Sequence, residues 1–169
     1  EKHSDELKKK HHPLLGNPTI SITLIEGGTT PWIIPENCKI VIDRRTLPGE
    51  NSKSVLEELE SIILKIKETD PEMVSEVSIL QEACPAEISP REEIVSAVLN
   101  EASSVLGRNV EIIGMSGTTD ARFLINDAKI PTVIFGPGSL AQAHQPDEYV
   151  NHSETYLAAK IYARIALRL

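Results

Sequence analysis

The chain is poor in aromatic residues, 4% of its 169 positions, and has no apolar run near the roughly 18 residues that a membrane-spanning helix needs. No charged-then-apolar opening suggests a secretory leader, so no membrane partner is expected. The two cysteines, Cys38 and Cys84, stand far apart and outside any CxxC spacing. That excludes a disulfide-stapled scaffold and suits a reducing cytoplasm. Cations are also scarce relative to acids: the formal net charge is −8, and the one basic cluster is Lys8-Lys9-Lys10 followed by His11-His12. Nucleic-acid recognition asks for a broad basic surface with aromatic or arginine readers, so no nucleic-acid partner is expected. The cluster reads as the solvated end of a helix, where cations meet the negative end of the dipole.

Several catalytic signatures are missing as well. Gly114-Met115-Ser116-Gly117 closes one residue too early for a nucleophile elbow. There is no GxxxxGK, no GxGxxG and no HExxH. The first residue is Glu1, not Met, which points to a trimmed or processed chain.

What is present is a globular composition, 40% hydrophobic and 25% charged. Residues 1–12 read as the tail of a polar helix stopped by Pro13 and Gly16. Residues 19–26 alternate, with Ile20, Ile22 and Leu24 on one face of a half-buried strand, and residues 38–45 form a second strand with Ile40 and Ile42 together. Ser54 with Glu57 suggests a capping box ahead of the stripe Val55, Leu59, Ile62, Ile63 and Ile66, and residues 74–80 suggest a third strand. This is the order of a ferredoxin-like β-α-β-β-α-β unit lacking its first strand and most of its first helix.

Past Pro85 and Pro90 the pattern changes. Ser89-Pro90-Arg91-Glu92 opens a helix with the stripe Ile94, Val95, Val98, Leu99, Ala102 and Leu106, and Gly107 ends it. Short strands are expected at 110–113 and 131–135, with a short helix through Phe123 and Leu124 between them. Asn151-His152-Ser153 matches a glycosylation triplet but reads as the start of a last helix carrying Leu157, Ile161 and Ile165. Such alternation suggests part of a parallel α/β sheet. The fold expected is therefore α/β, an α+β piece in residues 1–84 followed by an α/β piece in residues 85–169.

Three constellations could carry chemistry. The loop Gly136-Pro137-Gly138 through Ala143-His144-Gln145-Pro146-Asp147-Glu148-Tyr149 follows an apolar strand, where ligands bind in open α/β sheets. His144 offers an imidazole nitrogen, the commonest zinc donor, and Asp147 or Glu148 could orient its second nitrogen. A surface or capping histidine is the commoner use of such a residue. Gly117-Thr118-Thr119-Asp120-Ala121-Arg122 places hydroxyls and free N–H groups before a helix, as an anion cradle or as a plain N-cap by Thr118, Thr119 or Asp120. Asp43-Arg44-Arg45 ends a strand, where an arginine serves as a carboxylate clamp or as a surface ion pair.

Taken in order and spacing, these segments resemble a known family. His12-Pro13-Leu14-Leu15-Gly16, the strand ending Glu26-Gly27-Gly28, the Ile33-Ile34-Pro35 turn and Asp43-x-Arg45-x-x-Pro48-Gly49-Glu50 are similar to the lid of the dinuclear-zinc amidohydrolases that include acetylornithine deacetylase, succinyl-diaminopimelate desuccinylase, aminoacylases and glutamate carboxypeptidase. The 117–122 and 136–149 segments resemble the last part of that family's catalytic domain, nearest the acetylornithine deacetylases.

The resemblance implies a ferredoxin-like lid that also forms a homodimer, and a zinc-peptidase-like catalytic domain. It implies two zinc ions (cobalt in some members) that activate a water against the amide of an N-acyl amino acid. By the same match His144 is a metal ligand, Glu148 supports it, and Gly117, Thr118, Arg122 and Arg45 contact the substrate, Arg45 and its companions at the carboxylate. The family's other metal ligands and its general-base glutamate have no counterpart in these residues, so no catalytic residue is expected here and the chain by itself should hold metal weakly and be inactive. Trp32 stands where many members have Asn. A non-catalytic ferredoxin-like module, for dimerisation or amino-acid binding, would account for residues 1–82 alone.

Overall fold

The computed structural model describes residues 2–169. They fall into two compact units, one running through Pro85 and including Gly114–Ser116, the other comprising Ala86–Ile113 and Gly117–Leu169.

In the first unit, helix α1 (Lys2–Leu7) precedes strand β1 (Thr19–Gly27), strand β2 (Cys38–Arg45) and helix α2 (Ser52–Lys67). The two strands pair antiparallel. β2 lies where alternation places it; β1 carries a bulge at Thr23, because Ile22 faces Ile42 while Leu24 already faces Val41. One extra residue moves everything beyond it to the opposite face. Ile20, Ile22 and Ile25 therefore share a face with Ile40 and Ile42, and Leu24, expected there, turns to the other side with Val41. The Thr23 hydroxyl donates to the Val41 carbonyl at 3.3 Å, beside the shift in register.

Helix α2 is capped by Asn51, one turn earlier than the Ser54 expected. Asn51 Oδ1 accepts from the Ser54 amide at 2.9 Å and Ser54 Oγ accepts from the Asn51 amide at 3.2 Å. Ser54 thus fills the position that glutamate takes in the usual box. Residues 74–80 form no strand. A strand exists only where a neighbour supplies hydrogen bonds and cover, and Val74 and Leu80 are left in solvent. The described residues of this unit thus give a mixed α/β arrangement with one two-stranded sheet, and the ferredoxin-like order is not confirmed. Gly114 packs against the Leu14 carbonyl and the Leu15 side chain so closely that a Cβ would collide with both.

In the second unit, helix α3 (Glu93–Leu106) packs on helix α5 (His152–Ala166), with the short helix α4 (Ala121–Asn126) between them in sequence. Ala97, Val98 and Ala102 of α3 meet Ile161 and Ile165 of α5, and Ile161 is 1% exposed. Small residues on α3 allow the close approach that fills this seam. The expected Ser89 box does not form; Ser89 Oγ accepts from the Arg91 amide at 3.1 Å in a turn before the helix, and Glu92 stands at the cap without a side-chain bond. Gly107 ends α3 in the left-handed conformation, φ 66°, which glycine adopts without strain. Asn151 caps α5 as its sequence suggests, accepting from the Ser153 amide at 3.0 Å.

The strands expected at 110–113 and 131–135 make no ladder, so no parallel pair exists among the described residues. Their apolar pattern is nevertheless used: Val110, Val133 and Phe135 pack against the α3–α5 core. Burial and strand pairing are separate requirements, and only the first is met here. No helix among the described residues is long and apolar enough to cross a membrane.

Two substitutions test these contacts. Ile161→Ala should lower unfolding free energy by about 2–5 kcal/mol, read as a reduced urea midpoint, since a filled seam becomes a cavity. Gly114→Ala should cost about 1–3 kcal/mol by overpacking against the Leu14 backbone.

Candidate functional site

The loop that carries His144 is tied to α5 at its start. The Tyr162 hydroxyl donates to the Phe135 carbonyl, and the two rings meet edge to face at 5.6 Å and 78°. Three residues further on, the Gly138 amide donates to Glu154 Oε2 at 2.9 Å. Ser139 then caps a short 3-10 turn, Leu140–Gln142, accepting from the Ala141 amide at 3.3 Å. After that turn the chain bends sharply, and His144 takes φ 63°. A side chain in the left-handed region is strained by roughly 1–2 kcal/mol, and such strain gathers where a side chain must be aimed. Lys129 shows the same conformation at a surface turn, so strain by itself does not mark a site.

Glu148 holds the bend. Its Oε2 accepts the His144 backbone N–H at 3.0 Å. In the structure this carboxylate fixes the backbone of the bend, and the His144 ring stands exposed. Among the described residues no three His, Cys, Asp or Glu side chains come together as a metal-binding group. The residues present thus offer a single imidazole and do not fit a complete metal site by themselves.

Gly117 and Thr118 are exposed, and Arg122 is half-buried with its guanidinium carbon 4.4 Å from the Phe123 ring centre. Asp120 stands at the cap of α4 but makes no capping bond, so its side chain does not play the N-cap role.

At the end of β2, alternation sends two adjacent arginines to opposite faces. The Arg45 side chain is 60% exposed, and its Nε and Nη2 both donate to Asp43 Oδ2, at 3.1 and 2.8 Å. The Arg44 side chain is 5% exposed. Its Nη2 donates to Glu50 Oε1 at 2.9 Å, and its Nε lies 3.6 Å from Glu58. Glu58 also meets His3 of α1, and Glu50 accepts from Lys10 at 2.6 Å and from the Leu47 amide at 2.9 Å. Lys10 is exposed as expected and pairs with Glu50 at the surface. Reading by motif singled out Arg45 and missed Arg44, although two successive arginines on a half-buried strand already require one of them to find acidic partners inside.

Residues 11–168 match peptidase family M20/M25/M40. The chain belongs to that family. It is 33% identical over 150 residues to an acetylornithine deacetylase of Aliivibrio salmonicida (strain LFI1238), covering 87% of this chain and 37% of that protein. It is 30% identical over the same length to an acetylornithine deacetylase of Proteus mirabilis (strain HI4320). The solved M20 family metallo-carboxypeptidase Sso-CP2 of Sulfolobus solfataricus superposes with a TM-score of 0.71 at 22% identity, over 89% of this chain and 35% of that one. That likeness concerns the fold. The M20 chain thus spans about 37% of the length of the curated relatives it matches. His144, Glu148, Gly117, Thr118, Arg122 and Arg45 all lie inside the matched span.

Burial works against ionisation of Glu50, but hydrogen bonds from Lys10, the Leu47 amide and Arg44 outweigh it and hold the carboxyl below its ordinary value of 4.5. A carboxyl with a depressed folded pKa stabilises the fold above its unfolded pKa and loses that contribution as pH falls through the folded value. Acid titration of stability should therefore show a decline beginning near pH 4.5 that is shallower in Glu50→Gln, with residual slope from Glu101, which Arg164 holds low in the same way.

Proposed function

We propose that this chain is part of a metal-dependent hydrolase that cleaves the amide bond of N-acyl amino acids, in the manner of an acetylornithine deacetylase. The observation that carries this reading is the His144 loop: an exposed imidazole on a strained bend, held by Glu148 and tethered to α5 through Gly138. Strain maintained by two carboxylates on backbone amides favours a ring that is aimed over one that merely sits on a surface. Family membership and the named relatives support the same reaction class.

In this reading His144 is one donor to a metal centre, zinc by the family pattern with two ions per complete enzyme and cobalt as a substitute. Among the described residues no group of three possible donors is assembled, and no catalytic step is assigned to this chain. Arg45 meets the substrate carboxylate, where a planar guanidinium gives two parallel hydrogen bonds. Gly117, Thr118 and Arg122 supply further substrate contacts, and Glu148 positions the donor. Residues 1–84 serve as an incomplete ferredoxin-like lid and 85–169 as a catalytic-domain segment. The isoleucine face and open strand edges of β1 and β2 suit pairing with a second copy, since such edges are normally covered. Exposed thiols at Cys38 and Cys84 suit a cytoplasmic setting.

Two variants of the intact gene product test the assignment. His144→Ala should reduce bound metal, measured by elemental analysis, and lower turnover of N-acetyl amino acids by about 100-fold or more. Unchanged metal content and turnover would contradict the ligand role. Arg45→Ala should lower kcat/KM for carboxylate-bearing substrates by about 10–100-fold at constant metal content, as loss of a charged hydrogen bond does. An equal loss on the corresponding uncharged amides would contradict the clamp.

A further inference from the structure

The Arg44 side chain is nearly withdrawn from solvent, 5% exposed, and its guanidinium meets three groups of the first unit. Its Nη1 donates to the carbonyl of Arg45 at 2.5 Å and its Nη2 to Glu50 Oε1 at 2.9 Å. The other oxygen of Glu50 accepts the Leu47 amide at 2.9 Å. The guanidinium and the carboxylate thus close the 45–50 turn from both sides, holding the backbone on the two flanks of Thr46. On the opposite face Arg45 pairs in fork fashion with Asp43 Oδ2. A strand residue's side-chain direction follows its backbone, so fixing the Arg45 carbonyl fixes the line along which Arg45 leaves the sheet.

We propose that Arg44, locked by Glu50, is a positioning residue that sets the direction of Arg45 and so its readiness to receive a carboxylate. The inference rests on the reading that Arg45 is the carboxylate contact, and it adds a residue pair to which no role has been given. Lysine cannot replace Arg44 in this task. It carries the charge but lacks the planar fork that reaches the Arg45 carbonyl and Glu50 together. Glu58, 3.6 Å from Arg44 Nε and bonded to His3, ties the helices to the same guanidinium but does not touch the turn. It provides the control.

The test uses the full chain, with the 1H–15N resonance of Arg45 Nε as the signature and acetate as the probe, acetamide serving as the neutral comparison. In the wild type, acetate should shift the Arg45 signal saturably and acetamide should not. In Arg44→Lys and in Glu50→Gln the unliganded Arg45 signal should move and the acetate affinity should fall roughly fivefold or more, the scale of one net hydrogen bond. Glu58→Gln should retain wild-type affinity. Glu50→Gln carries the test if the lysine variant does not fold. Wild-type affinity in folded Glu50→Gln overturns the positioning role while leaving Arg45 as the carboxylate contact. A wild-type Arg45 signal indifferent to acetate overturns the contact itself, and the positioning role with it.

Discussion

The packing of α3 against α5 is the interaction on which the second unit depends. Ala97, Val98 and Ala102 let Ile161 and Ile165 settle into the seam, and Val110, Val133 and Phe135 close around it. Because α5 is held there, Tyr162 and Glu154 have fixed positions from which to grip the Phe135 carbonyl and the Gly138 amide. The loop that follows inherits that rigidity, and Glu148 turns it into a defined bend at His144. The same helix pair is tied at its surface by Glu101, which accepts from both Arg164 and Arg168. A core of ordinary aliphatic residues thus places a chemically useful side chain without burying it.

The first unit is organised by a charge. An arginine removed from water must be answered by carboxylates, because leaving it unpaired would cost several kcal/mol. Glu50 and Glu58 give that answer, and each carries a further partner, Lys10 and His3, into the same network. Apolar burial here is sparse, with Leu7 and Leu47 among the few enclosed side chains. A two-stranded sheet with an exposed isoleucine face is marginal by itself. The polar network therefore fixes geometry where a hydrophobic core is thin, and within it the Arg44–Glu50 pair alone holds the turn from which Arg45 leaves the sheet.

How far the sequence was legible follows from which interactions are local. Helix α5 with its Asn151 cap, the Gly107 stop and strand β2 were readable because each depends on residues a few positions apart. The Thr23 bulge was not, since period-two alternation assumes an unbroken register and nothing in Ile22-Thr23-Leu24 announces an extra residue. Segments 74–80, 110–113 and 131–135 have the composition of strands, but pairing is a property of two segments and no partner is present among the described residues. At the candidate site, His144, Arg45 and Arg122 are singled out by motif resemblance and carry their roles as proposals. Arg44 is not, because its importance lies in contacts 6 and 14 residues distant, with Glu50 and Glu58, that no short motif encodes.

The proposed function stands on metal donation by the His144 imidazole. Diffraction at the zinc edge from crystals of the intact protein grown with zinc tests it directly. An anomalous peak is expected about 2.0–2.1 Å from an imidazole nitrogen of His144, the usual zinc–nitrogen distance. A fully occupied zinc centre formed elsewhere, with the His144 ring beyond bonding distance, would contradict it.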